Sequence, residues 1–139
     1  TKHITTIEKK YFQPVINGLA DVYNPGGTAA TLRVNGLEIC GKTGTAENFT
    51  KINGVRTQLT DHSVFVAFAP KDNPKIAIAV LVENGYWGNR FAGPIATLMI
   101  EKYINNEITR KDLEKKMLEK SLQLEYDKAT SGLPFTINR

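Results

Sequence analysis

Two apolar runs dominate the hydropathy pattern of this chain. Residues 62–70 read HSVFVAFAP and residues 75–83 read KIAIAVLVE, with the turn-forming Lys71-Asp72-Asn73-Pro74 between them, which predicts an antiparallel hairpin. In the second run Ile76, Ile78, Val80 and Val82 fall on one face and Ala77, Ala79 and Leu81 on the other. Both faces are apolar, so both are expected to be covered and the strands to be central rather than edge-on to water. After a loop, Asn84-Gly85-Tyr86-Trp87-Gly88-Asn89, the residues Phe91, Ile95, Leu98, Met99 and Ile104 predict a helix over 90–106 that covers one face of the sheet. Pro94 belongs in its first turn.

Upstream, Ile7, Tyr11, Val15, Leu19 and Val22 recur at nearly helical spacing, and Pro14 fits as the first residue of a helix over 14–22. Asn24-Pro25-Gly26-Gly27 is a turn cluster, after which Thr28 is expected to cap a short helical turn through Ala29, Ala30 and Leu32. A strand over 37–47 follows. The polar stretch 48–61 reads as a hairpin or loop with its tight turn at Asn53-Gly54.

The last third changes character. Thr109-Arg110-Lys111-Asp112 resembles a capping signal, and residues 109–129 are rich in Lys, Glu and Leu, which predicts one continuous helix. Leu113, Met117, Leu118, Leu122 and Leu124 give it a narrow apolar stripe, enough to dock on a neighbour or a partner protein and too thin for a core of its own, and a solvated terminal helix is the favoured expectation. Residues 131–139 read as a frayed tail. The organisation expected is therefore 1–108 as a folded unit and 109–139 as a helical extension and tail.

Composition narrows the classes. A chain of 139 residues with 41% hydrophobic content can bury one core. The net charge of +4 is spread along the chain without a basic stripe interleaved with aromatics, which gives no support to a nucleic-acid partner. His3, His62 and the single cysteine, Cys40, are too far apart to form a metal-ligand pattern, and no cofactor motif is found. The chain starts at Thr1, and no run approaches the ~18 apolar residues of a membrane span. It is expected to be a piece of something longer, without an anchor of its own.

Lys42-Thr43-Gly44, at the end of the apolar run Leu37-Glu38-Ile39-Cys40-Gly41, is the most chemical feature. Gly36 to Thr43 also satisfies the phosphate-loop pattern G-x-x-x-x-G-K-[ST]. That loop needs a buried strand ending at the first glycine and a helix beginning near the lysine. Here Leu-Glu-Ile-Cys between the glycines reads as strand, and Thr43-Gly44-Thr45 is a poor helix start. A strand carrying Lys42 outward at its middle is the better account.

K-T-G is one of three active-site elements of penicillin-binding proteins and β-lactamases. Gly41-Lys42-Thr43-Gly44-Thr45-Ala46-Glu47, Asp61-His62 with Phe68-Ala69-Pro70, Pro74-Lys75-Ile76-Ala77 with Val82-Glu83-Asn84-Gly85, Ala92-Gly93-Pro94-Ile95-Ala96 and the upstream Pro25-Gly26-Gly27-Thr28-Ala29 occur in collinear order. Over residues 11–106 the chain thereby resembles the C-terminal part of the transpeptidase domain of class B penicillin-binding proteins, nearest the elongation-type branch. The resemblance implies an α+β fold, an antiparallel sheet with covering helices that forms the C-terminal half of a β-lactamase-like transpeptidase domain.

It also implies a peptidoglycan D,D-transpeptidase that cross-links stem peptides through an acyl-serine intermediate and is acylated by β-lactams. Carried over by motif, Lys42 supplies positive charge near a second serine and the substrate carboxylate. Thr43 and Thr45 offer hydroxyls to that carboxylate, the Thr45 N–H is one of two oxyanion donors, and Gly44 lets the acyl chain approach as an added strand. The parent is expected at the cytoplasmic membrane, facing outward, with cell-elongation proteins as partners.

The nucleophile element Ser-x-x-Lys and the Ser-x-Asn element are missing. Ser63, Ser121 and Ser131 are followed three residues on by Val66, Leu124 and Pro134, so the chain alone is expected to be inactive. Truncation would also expose a sheet face and favour a dimer or higher oligomer. A β-lactam sensor without turnover and a protein-interaction module of the elongation machinery are the alternatives. Cys40 reads as a small buried hydrophobe, and His62 as a strand-start residue hydrogen-bonded to backbone. Glu47, Asn48 and Arg56 are expected at a cleft rim, while Tyr86 and Trp87 are open between rim and lid.

Overall fold

The computed structural model describes residues 5–130; the tail at 131–139 and His3 lie outside the described residues. A 3-10 turn, Lys9–Tyr11, leads into helix α1 (Phe12–Asp21). The helix starts two residues before Pro14, which therefore sits inside the first turn, where a missing N–H costs nothing because those N–H groups have no intrahelical partner. A short 3-10 turn at Ala30–Leu32 follows without a side-chain cap. Thr28 does not cap it, because its hydroxyl is committed elsewhere.

Five strands come next: β1 (Cys40–Ala46), β2 (Phe49–Ile52), β3 (Val55–Gln58), β4 (His62–Ala69) and β5 (Ile76–Val82). β1 is shorter than the run 37–47, since Leu37 is taken by an isolated bridge to Val34. β2 and β3 form a separate two-stranded hairpin, turning at Asn53 (φ 51°) and Gly54 (φ 81°), the left-handed pair that a two-residue loop needs. The main sheet has the order β1-β4-β5, all antiparallel.

Helix α2 (Ala92–Asn105) covers one face of this sheet. Phe65, Ala67 and Ala69 of β4 pack there with Ala92, Ala96 and Ile100, and Tyr23 meets Phe65 edge-on at 6.3 Å. Ile76, Ile78, Val80 and Val82 pack against the same cluster.

The expectation that both faces are covered fails for the described residues. β5 is an edge strand, Ala77 and Ala79 are exposed, and Leu81 and Val66 are 59% and 45% exposed. α1 lies only against the β1 end, where the Cys40 thiol donates to Ile16 O at 3.6 Å. The apolar alternation was a true signal of a covering layer, but the described residues supply that layer on one side alone.

The expected continuous helix over 109–129 is two helices, α3 (Lys111–Glu119) and α4 (Gln123–Thr130). Lys120 is extended between them, its ammonium donating to Arg90 O at 2.6 Å above the Phe91 ring. Ser121 Oγ then accepts from Gln123 N at 3.1 Å and starts the second helix. Thr109 does not cap α3 either; its N–H and hydroxyl both donate to the buried Glu101 carboxylate, at 2.9 and 2.6 Å.

Candidate active site

The K-T-G strand is one of the two outer strands of the sheet. Pairing β1 only with β4 leaves its other edge free of strand partners among the described residues. Register sets the faces: Lys42 lies opposite Val66 and Gly44 opposite Val64, while Thr43 lies opposite Phe65 and Thr45 opposite Ser63. Paired residues share a face, so Lys42 and Gly44 point to the uncovered side, and Thr43 and Thr45 to the side of α2. The four expected residues are contiguous and alternate across one edge.

Lys42 is exposed, and its ammonium donates to Thr43 O at 2.9 Å. No carboxylate reaches it within ion-pair distance among the described residues. Thr43 is half-buried, with its hydroxyl 3.1 Å from that of Thr28. Thr28 thus lies beside the site, a place that sequence reading did not give it: Pro25-Gly26-Gly27-Thr28-Ala29 was read as a turn, a cap and part of the family resemblance, without a site role for Thr28.

The loop after β5 lies across the strand at Gly44. A Cβ on Gly88 would come within 2.5 Å of Val64 O and 3.0 Å of Gly44 N and O, so only glycine fits there. Ser63 pins this loop: its hydroxyl donates to Trp87 O at 2.9 Å and accepts from Ala92 N at 3.0 Å, fully buried. That commitment excludes Ser63 as a nucleophile.

Asn48 is not a rim residue. Its side-chain amide donates to Thr60 O at 3.1 Å and to Asn84 Oδ1 at 2.9 Å, and its N–H donates to Asp61 Oδ1 at 3.3 Å. It ties the end of β1 to both flanking loops. His62 Nδ1 accepts from Asn84 N at 3.1 Å, the backbone-bonded role expected of it. Cys40 is buried with its thiol pushed up by desolvation, an inert small hydrophobe. Glu47 and Arg56 form an exposed pair at 3.3 Å beside the Phe49 ring.

A cleft of about 640 Å³ opens at the Thr45 end of β1, between the β2–β3 hairpin, the loop of Tyr86 and Trp87, and α4. Thr45, Ile52, Gln58, Trp87 and Glu125 are among its lining residues. Tyr86 and Trp87 are therefore cleft-wall residues: their rings meet edge-on at 5.9 Å, Trp87 is 55% exposed, and the Arg90 guanidinium stacks over Tyr86 at 3.7 Å. The Glu125 carboxylate accepts from Thr60 Oγ1 at 2.6 Å, from the Tyr86 hydroxyl and from Lys128 at 3.2 Å. Those bonds, the Thr60 one foremost, hold its carboxyl down at about 2. Sequence reading had given Glu125 no part in the site.

The phosphate-loop reading fails here. Gly36 turns with φ 73°, but residues 40–46 are strand, and no helix begins near Lys42 to present amides to a phosphate. Among the described residues no three His, Cys, Asp or Glu side chains gather into a cation site.

An antiparallel sheet backed by one helix, with a K-T-G strand on its free edge beside a cleft, defines a class: the penicillin-recognising transpeptidase fold. The family model for the penicillin binding protein transpeptidase domain matches residues 1–101, and the chain belongs to that family. The peptidoglycan D,D-transpeptidase MrdA of Haemophilus influenzae is 38% identical over 77 residues, covering 50% of this chain and 12% of that protein. The probable peptidoglycan D,D-transpeptidase PenA of Neisseria gonorrhoeae is 37% identical over 84 residues, covering 58% and 14%.

Among solved structures, the imipenem acyl-enzyme complex of penicillin-binding protein A from M. tuberculosis superposes with a TM-score of 0.57 at 28% identity, over 73% of this chain and 21% of that one. Penicillin-binding protein 2 of Pseudomonas aeruginosa gives 0.57 at 28% identity, over 78% and 23%. The chain thus spans less than a quarter of these proteins, and the family read from residues 11–106 is borne out.

Proposed function

We propose that this chain is the C-terminal portion of a serine-type peptidoglycan D,D-transpeptidase of the elongation-type branch, contributing the strand that binds the donor peptide and, in competition, β-lactams. The observation that carries the reading is β1 itself: Lys42, Thr43, Gly44 and Thr45 on a free strand edge, beside a cleft, in a chain whose relatives include proteins trapped as β-lactam acyl-enzymes. A D-Ala-D-Ala terminus or a β-lactam adds to that edge as a further strand. Lys42 and the Thr43 and Thr45 hydroxyls receive its carboxylate, with Thr28 orienting Thr43, and the Thr45 N–H stabilises the tetrahedral oxyanion. One such donor supplies about 3 kcal/mol in the transition state.

The attacking serine and its lysine come from the rest of the parent, because neither Ser63 nor Ser121 has a base three residues on. The parent acts at the outer face of the cytoplasmic membrane, and no described helix of this chain is long and apolar enough to cross a membrane. The uncovered side of β4 and β5 packs on the missing half-domain. Alone, the chain pairs through that surface, and its elution volume falls with rising concentration. Residues 109–139 form an extension on the folded unit 1–108.

Fluorescent penicillin tests this on the chain and on its longer parent in parallel. Label on the parent only, lost in folded Lys42→Ala or Thr45→Pro protein, is expected. A folded parent that takes no label overturns the reading, and label on this chain alone overturns the assignment of the nucleophile. A second reading has support from Leu118 and Leu124, 82% and 74% exposed on the two terminal helices: a docking face for a protein of the elongation machinery. A partner contact that survives loss of residues 109–139 would sink it.

A further inference from the structure

The two terminal helices lie beyond the matched residues 1–101, yet their segment is bound to the rest of the fold at three separate places, the last of them in the cleft. First, Arg110 Nε donates to the fully buried Glu101 at 2.8 Å, while another guanidinium nitrogen reaches Leu32 O at 3.0 Å. Second, Lys120 donates to Arg90 O beneath its own contact with the Phe91 ring. Third, Glu125, 9% exposed, accepts from Thr60 and from Tyr86, residues 65 and 39 positions away. Thr60 is at the base of the β2–β3 hairpin, and Tyr86 N donates to Asp61 O at 2.9 Å, so the two partners are neighbours on opposite walls of the cleft.

A solvated terminal helix has no reason to bury an ionised carboxylate, since desolvation is costly unless specific hydrogen bonds offset it. Here the carboxylate meets one hydroxyl from each wall in addition to the Lys128 ammonium of its own helix. The same Tyr86 ring is gripped from its face by Arg90, whose carbonyl holds Lys120, so the second and third anchors act on one loop.

We propose that α4 is a strap forming the end wall of the cleft beside Thr45, and that Glu125 is a positioning residue tying the base of the β2–β3 hairpin to the loop of Tyr86 and Trp87. The strap sets the width available to the side chain of a bound acyl donor. Its effect on acylation rests on the transpeptidase reading, whereas its effect on the loop does not.

Trp87, the single tryptophan of the chain, reports directly. In the 139-residue protein, Glu125→Gln and Tyr86→Phe should each shift Trp87 emission and raise amide exchange across residues 84–90. Exchange of β4 and β5 should stay as in the parent sequence. The double variant should add little to either single one, because both remove the same tie. Unchanged emission and exchange in Glu125→Gln overturns the strap; so do fully additive effects, or losses of protection that extend equally through β4 and β5.

In the longer parent, Glu125→Gln should raise the dissociation constant of a penicillin with a bulky side chain roughly tenfold, the scale of a lost charge-assisted hydrogen bond, and by more than it lowers the acylation rate constant. A loss confined to the acylation rate constant overturns the positioning role. If the unaltered parent takes no penicillin, the transpeptidase reading has failed, and the Trp87 and exchange results still decide the strap.

Discussion

The sheet with α2 and the segment from α3 to α4 are both attached to the site, but by different physics. α2 buries Ala92, Ala96 and Ile100 on Phe65, Ala67 and Ala69, an area-driven contact without direction. Among the described side chains the terminal helices bury no apolar residue fully; Leu113 packs half-buried against the core, and three polar anchors, at Glu101, Arg90 and Glu125, locate the rest of the segment. Apolar burial fixes which layers meet. Polar anchors fix where a segment with little apolar area stops, and they respond to charge and pH where the core does not.

Removing the core side of this comparison should have the largest effect. Ile100→Ala deletes a fully buried side chain at the centre of the α2 contact and should cost about 4 kcal/mol, read as a drop in the urea midpoint at constant slope. A cost under about 1 kcal/mol would mean that the sheet is held by something other than α2.

Arg110→Ala tests the anchor side. It leaves the Glu101 carboxylate, fully buried, facing only Thr109, and should cost about 3 kcal/mol while loosening α3 before the sheet. Burial pushes the Glu101 carboxyl up, and the bonds from Thr109 and Arg110 outweigh it, leaving it below the ordinary value. The Glu101→Gln, Arg110→Met pair should recover much of the loss, because neither charge then remains buried alone. Equal loss of exchange protection in α3 and β4 would erase the distinction.

Acid gives the smallest and sharpest contrast. Glu125 is depressed from the ordinary 4.5 to about 2, so its contribution is fully present above pH 4.5 and is lost as pH falls toward 2. Thr60, Tyr86 and Lys128 bond it, and Asp61 lines the same cleft. Trp87 emission should therefore change between about pH 4.5 and 2, and in Glu125→Gln that step should vanish. Persistence of the step in the variant would assign it to another carboxylate.

The contrast also explains what could be read in advance. The β4–β5 hairpin, α2 and the K-T-G strand follow from period-two and helical apolar repeats, which one segment carries by itself. The Asn53-Gly54 turn was legible because few residues accept left-handed φ at both positions. The role of Thr28 was not, since a hydroxyl after two glycines caps a helix or meets a strand fifteen residues away with equal local chemistry. The break at Lys120 was invisible for a similar reason: residues 109–129 have helix propensity throughout, and only the contact with Arg90 and Phe91 makes an extended residue favourable there. Apolar residues on both sides of β5 pointed to two covering layers, but nothing local says which segment provides them.

Sequence by itself determined the family, the α+β class, the strand carrying Lys42 to Thr45 and the absence of a Ser-x-x-Lys element from these 139 residues, because each is written in short-range pattern or in residue identity. Tertiary structure alone decided which hydroxyl meets Thr43, that Gly88 crosses β1 at Gly44, that Asn48 braces rather than rims the cleft, and that Glu125 joins its two walls. Those contacts join residues 12 to 65 positions apart, with partners chosen by the closing of the chain rather than by any property of the segments that supply them.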